Sequence, residues 1–358
     1  MFAVIMCGGS GTRFWPASRE RRPKQFLNIT GRGPLVVETC DRLHPLVRDP
    51  ETILVLGREH LEEARDLFEG RNIHMVAEPV GRNTAPCIGL GAVYARHLGW
   101  RGPVAFLPAD HYIADSRQFL RDLQAAGELA EQGGIVILGI VPNRPETGYG
   151  YVKKAADQAT AGDVTAFRVA QFAEKPDLET AQRYLASGEY YWNAGIFMAR
   201  PDTILSEIRT HLPDLYQGLR RISSALGTDA FEAELKAVYP GLAKVSFDYG
   251  VMEHTRAEVF VVPSACGWSD VGSWASLHEL KGPEADARNN VSEGDTLLIS
   301  CEGSYVSGRS DRLVACLGLK GALVVDTPDA LLVADMGRSQ DIREIVEQLR
   351  RQGKDHLL

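Results

Sequence analysis

What the sequence lacks narrows the field before any motif is read. Its six cysteines, at 7, 40, 87, 266, 301 and 316, form no Cys-x-x-Cys pair and no metal-site spacing, which argues against a zinc module or a disulfide scaffold. They read as small core hydrophobes, kept reduced inside a cell. An excess of positive charge is missing too: a net charge of -8 and a pI near 5.7 give no global reason to expect nucleic-acid or membrane binding. Low-complexity stretches and long apolar runs are absent. The run at the amino terminus, Phe2 to Met6, lacks a basic flank and is far shorter than a signal or membrane segment, so a cytoplasmic protein is expected.

That same run reads as a buried strand of a parallel sheet. It breaks into Gly8-Gly9-Ser10-Gly11, where missing side chains leave backbone N–H groups free to face an anion. Two familiar glycine loops do not fit. A dinucleotide fingerprint needs a third glycine where Phe14 stands, and the strand ending near Leu56 offers no acidic residue for a ribose. A Walker loop needs Lys and Ser or Thr directly after its last glycine, and Thr12-Arg13 follow Gly11 instead.

Cations take the place of those signatures: Arg13, Arg19, Arg21, Arg22 and Lys24 fall within twelve positions. An arginine fork and a lysine point charge both suit a polyphosphate. Arg13 and Lys24 read as functional, whereas Arg19, Arg21 and Arg22 read as a solvated basic face.

At 358 residues the chain is expected to form one large domain and a smaller one. Apolar runs at Thr52 to Leu56, Val104 to Leu107, Ile135 to Ile140 and Glu258 to Val262 alternate with helical stripes, which predicts βαβ units. Pro34 and Pro86 suit first helical turns, Asn83 or Thr84 suits a helix cap that still offers N–H groups to a ligand, and Ser116 suits another cap. Asp110 follows the strand at Val104, where open α/β sheets place their ligands, so it is a candidate metal carboxylate as well as a turn former. Gly148 and Gly150 suit a hairpin, Glu174-Lys175 an exposed edge, Asn193-Ala194-Gly195 a turn, and Asp270 a helix cap. The polar stretch from Lys281 to Asp295 marks a boundary between residues 1–283 and 284–358. Beyond it, short β runs end in an amphipathic helix bearing Ile342, Ile345, Val346 and Leu349.

The string Gly8-Gly9-Ser10-Gly11-Thr12-Arg13 followed by Pro23-Lys24 resembles the signature of the sugar-nucleotide pyrophosphorylases. The fuller Arg13-Phe-Trp-Pro-Ala-Ser-Arg19 with Arg22-Pro-Lys-Gln-Phe-Leu27 is similar to that family's mannose-1-phosphate guanylyltransferase branch, and the resemblance covers essentially the whole chain. It implies a Rossmann-like α/β fold with a mixed, mostly parallel sheet flanked by helices, plus a C-terminal β-rich domain resembling a short β-helix. It also implies conversion of GTP and mannose 1-phosphate into GDP-mannose and pyrophosphate, with Mg²⁺ as cofactor, in a homodimer that the tail helps to form, although the tail's apolar helix face could instead pack only on its own domain.

Residue by residue, the resemblance assigns catalysis to Arg13, Lys24, Asp110 and Asp270, with Asp110 and Asp270 on the metal. The nucleotide falls to Gly8, Gly9, Gly11, Thr12, Arg13, Lys24, Glu78, Asn83, Thr84, Ala85 and Asp110. The sugar phosphate falls to Gly148, Tyr149, Glu174, Lys175, Asn193, Gly195 and Asp248. Two alternatives stay open: the same reaction on another sugar 1-phosphate, and a non-catalytic nucleotide-sugar-binding paralogue, against which the presence of all four charged groups speaks. Many relatives of this branch continue into a phosphomannose isomerase domain. With the chain stopping at Leu358, a monofunctional form is expected.

Overall fold

The amino-terminal run forms a strand buried on both faces, β1 (Phe2–Cys7), in a computed structural model that describes residues 1–9 and 11–358. The apolar runs that follow become β2 (Thr52–Gly57), β4 (Val104–Pro108), β6 (Ile135–Ile140) and β10 (Val259–Ser264). Between them lie β3 (His74–Glu78), β5 (Tyr112–Ile113), β7 (Tyr151–Ala161), β8 (Val164–Ala173) and β9 (Tyr190–Ala199). A nine-stranded sheet runs β3-β2-β1-β4-β9-β6-β10-β8-β7. It is parallel from β3 to β4 and between β6 and β10, while β9 enters antiparallel between β4 and β6.

The connecting helices are α1 (Leu35–Leu43), α2 (Leu61–Leu67), α3 (Thr84–His97), α4 (Ser116–Glu131), α5 (Leu178–Ser187), α6 (Pro201–His211), α7 (Pro213–Ala225) and α8 (Phe231–Val238). α3 is buried almost all round, and its contacts with β1, α6 and α7 make it the centre of the apolar core. Its sequence accordingly shows little amphipathic stripe. Asp115, not Ser116, caps α4: its extended backbone aims Oδ1 at the Gln118 N–H (2.9 Å), and Ser116 is already helical.

Contacts divide the chain into two compact units. Met1–Gly8, Val37–Ala109 and Ile113–Trp268 form the first, and Gly9–Val36, Asp110–Tyr112 and Ser269–Leu358 form the second. After β11 (Trp268–Ser269) and α9 (Trp274–Leu280) come β12 (Val291–Glu293), β13 (Thr296–Ile299), β14 (Tyr305–Gly308), β15 (Val314–Leu317), β16 (Ala322–Asp326), β17 (Leu331–Asp335) and α10 (Ile342–Arg351). β12, β14 and β16 stack in parallel, as do β13 and β15, which is the coil-on-coil pairing of a β-helix. Val291 opposes Tyr305 and Tyr305 opposes Leu323, so successive coils differ in length and no fixed repeat appears in the sequence. All six cysteines are free and buried. Among the described residues, no helix is long and apolar enough to cross a membrane.

Candidate active site

In the second unit, Gly11 opens the signature segment at φ 60, and a Cβ there would stand 2.6 Å from the Lys24 backbone nitrogen. Only glycine combines that left-handed conformation with that approach. The Ser18 hydroxyl donates to the Gly11 carbonyl and closes the loop. Two short 3-10 turns, Thr12–Phe14 and Lys24–Phe26, then present Arg13 outward and Lys24 inward.

The Lys24 ammonium is nearly buried and donates to Asp110 Oδ2 (2.9 Å) and to the Asp270 backbone carbonyl (2.5 Å). Arg13 reaches the Gly272 carbonyl at 3.4 Å. The four residues expected to be catalytic are therefore gathered by one unit, although 257 positions separate the outermost two. Burial pushes the Asp110 carboxyl up, but Lys24, His111 and Arg13 outweigh it and hold it below the usual carboxylate range. Just ahead of Asp110, within the first unit, the Ala109 N–H donates to Met6 (3.0 Å) and its carbonyl accepts the Thr39 hydroxyl (3.1 Å).

Asp270 is not a helix cap. Ser273 caps α9 through the Ser276 N–H (3.2 Å), while Asp270 Oδ1 accepts the Gly272 N–H (3.1 Å). Between them Val271, fully buried, adopts φ 43, a region that a β-branched residue occupies only under constraint. The donor set tests the expected cation. Asp110 and Asp270 offer hard carboxylate oxygens, and among the described residues no group of three His, Cys, Asp or Glu side chains forms a closed metal cage. Two carboxylates completed by phosphate oxygens and water suit Mg²⁺, a hard cation that keeps several non-protein ligands.

Two further clusters lie in the first unit. In the first, Asn193 on β9 donates to Asp248 Oδ1 (2.7 Å) and accepts from the Gly195 N–H (2.9 Å), and its own N–H meets the Gly150 carbonyl (2.8 Å). The stretch 193–195 is thus strand, not turn, with Gly195 at φ 66 and a bulge in the β6 pairing. The hairpin lies one step later, formed by β7 and β8.

Glu174 is no exposed edge: its side chain is 5% exposed, one oxygen pairs with Lys175, and the other has no hydrogen-bond partner among the described residues. A Cβ at Gly150 would collide with that second oxygen. Burial, then the neighbouring Asp248, raise the Glu174 carboxyl, and burial raises Asp248. Lys175 takes φ 47 beside them. The Glu174 N–H bonds Glu253 Oε1 (3.0 Å), a partner that the sequence reading did not single out. Tyr149 packs edge-on against Trp192 and Trp268, and the Gly148 N–H bonds Glu146 (3.0 Å).

The remaining cluster surrounds the start of α3. Asn83, at φ 70, caps the Thr84 N–H (2.8 Å), the Ala85 N–H donates to Val245 (3.1 Å), and the Thr84 hydroxyl accepts from Phe247 (2.8 Å). Two of the helix's first amides, those of Thr84 and Ala85, are thus taken internally. The same bonds tie α3 to the segment that delivers Asp248. Glu78 ends β3 as a buried carboxyl that accepts the Tyr239 hydroxyl, and burial pushes it up to about 7.

The comparisons agree with this architecture. A nucleotidyl transferase family model matches residues 2–286, and a "MannoseP isomerase/GMP-like beta-helix domain" model matches residues 294–349. The chain belongs to the nucleotidyl transferases, on their mannose-1-phosphate guanylyltransferase branch. It is 42% identical to a mannose-1-phosphate guanylyltransferase of Escherichia coli (strain K12), over 99% of this chain and 74% of that protein. It is 40% identical to the xanthan biosynthesis protein XanB of Xanthomonas campestris pv. campestris (strain B100), over 98% and 73%. A crystal structure from Thermus thermophilus, described as a mannose-1-phosphate geranyltransferase, superposes with a TM-score of 0.87 at 36% identity, covering 98% of this chain and 99% of that one.

Proposed function

We propose that the protein transfers GMP from GTP to mannose 1-phosphate, giving GDP-mannose and pyrophosphate. The observation that carries this reading is the Lys24 ammonium set between Asp110 and Asp270 behind the Gly11 loop. Such an arrangement needs no covalent intermediate: the sugar-phosphate oxygen attacks the α-phosphorus in line, and catalysis reduces to positioning and charge stabilisation. Lys24 and Arg13 hold the triphosphate and the charge that develops on the leaving pyrophosphate. Asp110 and Asp270 hold Mg²⁺, which supplies Lewis-acid stabilisation of phosphate oxygens when bound.

The loop residues Gly8, Gly9, Gly11 and Thr12 present backbone to the phosphates. Glu78, Asn83, Thr84 and Ala85 belong to the nucleoside side. Glu174, Asn193 and Asp248 supply hydroxyl partners for the sugar, Lys175 supplies a cation for its phosphate, and Gly148, Tyr149 and Gly195 shape that side. The 283/284 boundary separates the transferase portion from the β-helix portion. The protein works in the cytoplasm as a homodimer. Leu297, Ile299 and Leu317, which are 48%, 50% and 72% exposed on paired strands β13 and β15, support that assembly as an uncovered apolar face.

A pyrophosphate-release screen of the nucleoside triphosphates against several sugar 1-phosphates tests the reaction. GTP with mannose 1-phosphate gives the highest kcat/KM. A preference for UTP or dTTP, or for another sugar, overturns the assignment, and binding without turnover points to a non-catalytic paralogue.

A further inference from the structure

The segment that carries Arg13 and Lys24 is anchored to residues more than 300 positions away, through contacts that no phosphate chemistry requires. The Trp15 indole N–H donates to the Leu357 carbonyl at 2.8 Å, and the Trp15 carbonyl accepts the Trp274 indole N–H at 3.3 Å. Its ring is buried among Leu323, Leu332, Ile342, Val346 and Leu358. Four residues on, Arg19 is 15% exposed instead of solvated. One guanidinium nitrogen bonds Asp329 Oδ1 (2.7 Å), another bonds the Pro16 and Ser18 carbonyls, and the guanidinium lies 5.7 Å from the Trp15 ring centre. Thr327 donates to the same Asp329 oxygen at 2.9 Å and fixes it.

These anchors fall inside the loop they control. Phe14, directly after Arg13, packs on Trp274 at 5.0 Å, and the Lys24 ammonium lies 5.9 Å from the Phe14 ring centre. Movement of Trp15 or Arg19 therefore displaces both phosphate-directed cations. An ion pair whose carboxylate is half exposed adds little to global stability, so its consequence lies in geometry. We propose that Trp15, Arg19 and Asp329 are positioning residues, a latch through which the β-helix unit holds Arg13 and Lys24 at the reacting phosphates. The kinetic part of this proposal rests on the transferase reading above.

The test uses the full chain carrying Asp329→Ala, Asp329→Asn or Trp15→Phe. Hydrogen exchange reads the loop directly: in Asp329→Ala and Trp15→Phe, amides between Gly11 and Leu27 exchange faster while β1, β2 and β4 keep their protection, with Tm unchanged in Asp329→Ala and modestly lowered in Trp15→Phe, which also loses buried volume and the bond to Leu357. A misplacement of about 1 Å costs up to about 100-fold in rate, so kcat should fall at least tenfold while KM for mannose 1-phosphate stays within about twofold. Asp329→Asn, which keeps the Oδ1 acceptor for Arg19, retains most of both properties. Unchanged loop exchange, or faster exchange everywhere with a matching fall in Tm, overturns the latch. So does an Asp329→Asn variant as impaired as Asp329→Ala. A wild-type protein that turns over no GTP overturns the transferase reading instead, and the exchange measurement still decides the latch.

Discussion

A lysine ammonium lodged between a carboxylate and a backbone carbonyl ties the fate of each group to the others, and the two aspartates near Lys24 should behave as one unit. Both would offer hard oxygen to the proposed shared cation, and groups that act together lose rate non-additively. Asp110→Asn and Asp270→Asn should each remove most turnover with the fold intact, and the double variant should be scarcely slower than the poorer single one. Multiplying losses, or near-normal Mg²⁺-dependent turnover in either variant, would sink the shared-cation assignment. Asp110 and Asp270 could be picked out as candidates because each follows a strand. Tyr239 beneath Glu78 could not, since a hydroxyl 161 positions away leaves no local pattern. Its consequence is a pH dependence. Because the Glu78 carboxyl titrates near 7 when folded and near 4.5 otherwise, the folded state binds the extra proton between those values, and stability falls as pH rises through that window. Glu78→Gln keeps an acceptor for Tyr239 and removes the titration. It should match the wild type near pH 5 and exceed it at pH 8 by up to about 3 kcal/mol in urea unfolding. An equal difference at both pH values would refute this.

At the level of elements, the fully apolar strands and the amphipathic helices announce themselves, because burial on both faces or on one stripe leaves a run or a period. The hairpin of β7 and β8 does not: Lys153, Lys154, Asp157, Gln158, Arg168 and Gln171 spread charge and polarity over both faces. β9 hides its strand behind Asn193-Ala194-Gly195, whose turn-like composition serves instead to place a side chain at a bulge. The Gly11 loop is the element where sequence and geometry meet most tightly. Gly11→Ala forces a left-handed conformation costing roughly 1–2 kcal/mol and drives a methyl against the Lys24 backbone. The variant should lose at least about tenfold in kcat, since the displaced group carries the ammonium. A variant with normal kcat and normal exchange protection from Gly11 to Leu27 would show that the loop tolerates the shift.

For the molecule as a whole, periodicity could mark a polar boundary near residue 283 but could not reveal that Gly9–Val36 packs with Ser269–Leu358, because contacts between segments so far apart in the chain leave no trace in local composition. Phe14, Trp15, Leu27, Ile29 and Leu35 share one apolar core with Trp274, Tyr305, Leu323, Val325, Leu332, Ile342 and Val346. Cutting the chain at 283 removes all but one of those later residues. Each large side chain so exposed costs about 1.5–3 kcal/mol of burial, and several together exceed what a loop without regular strands can offset. A fragment of residues 1–283 should therefore keep the nine-stranded sheet, whose strands all lie before residue 283, yet lose order between Gly9 and Val36. Trypsin should cut it rapidly at Arg19 and Arg21 while the full chain resists at Arg19, where the guanidinium is held by Asp329. Adding residues 284–358 in trans should restore the resistance if the apolar core, not chain connectivity, is what orders the segment. Equal cleavage of fragment and full chain would mean that the signature segment folds without the β-helix, and the shared core would then be a consequence of its order instead of the cause.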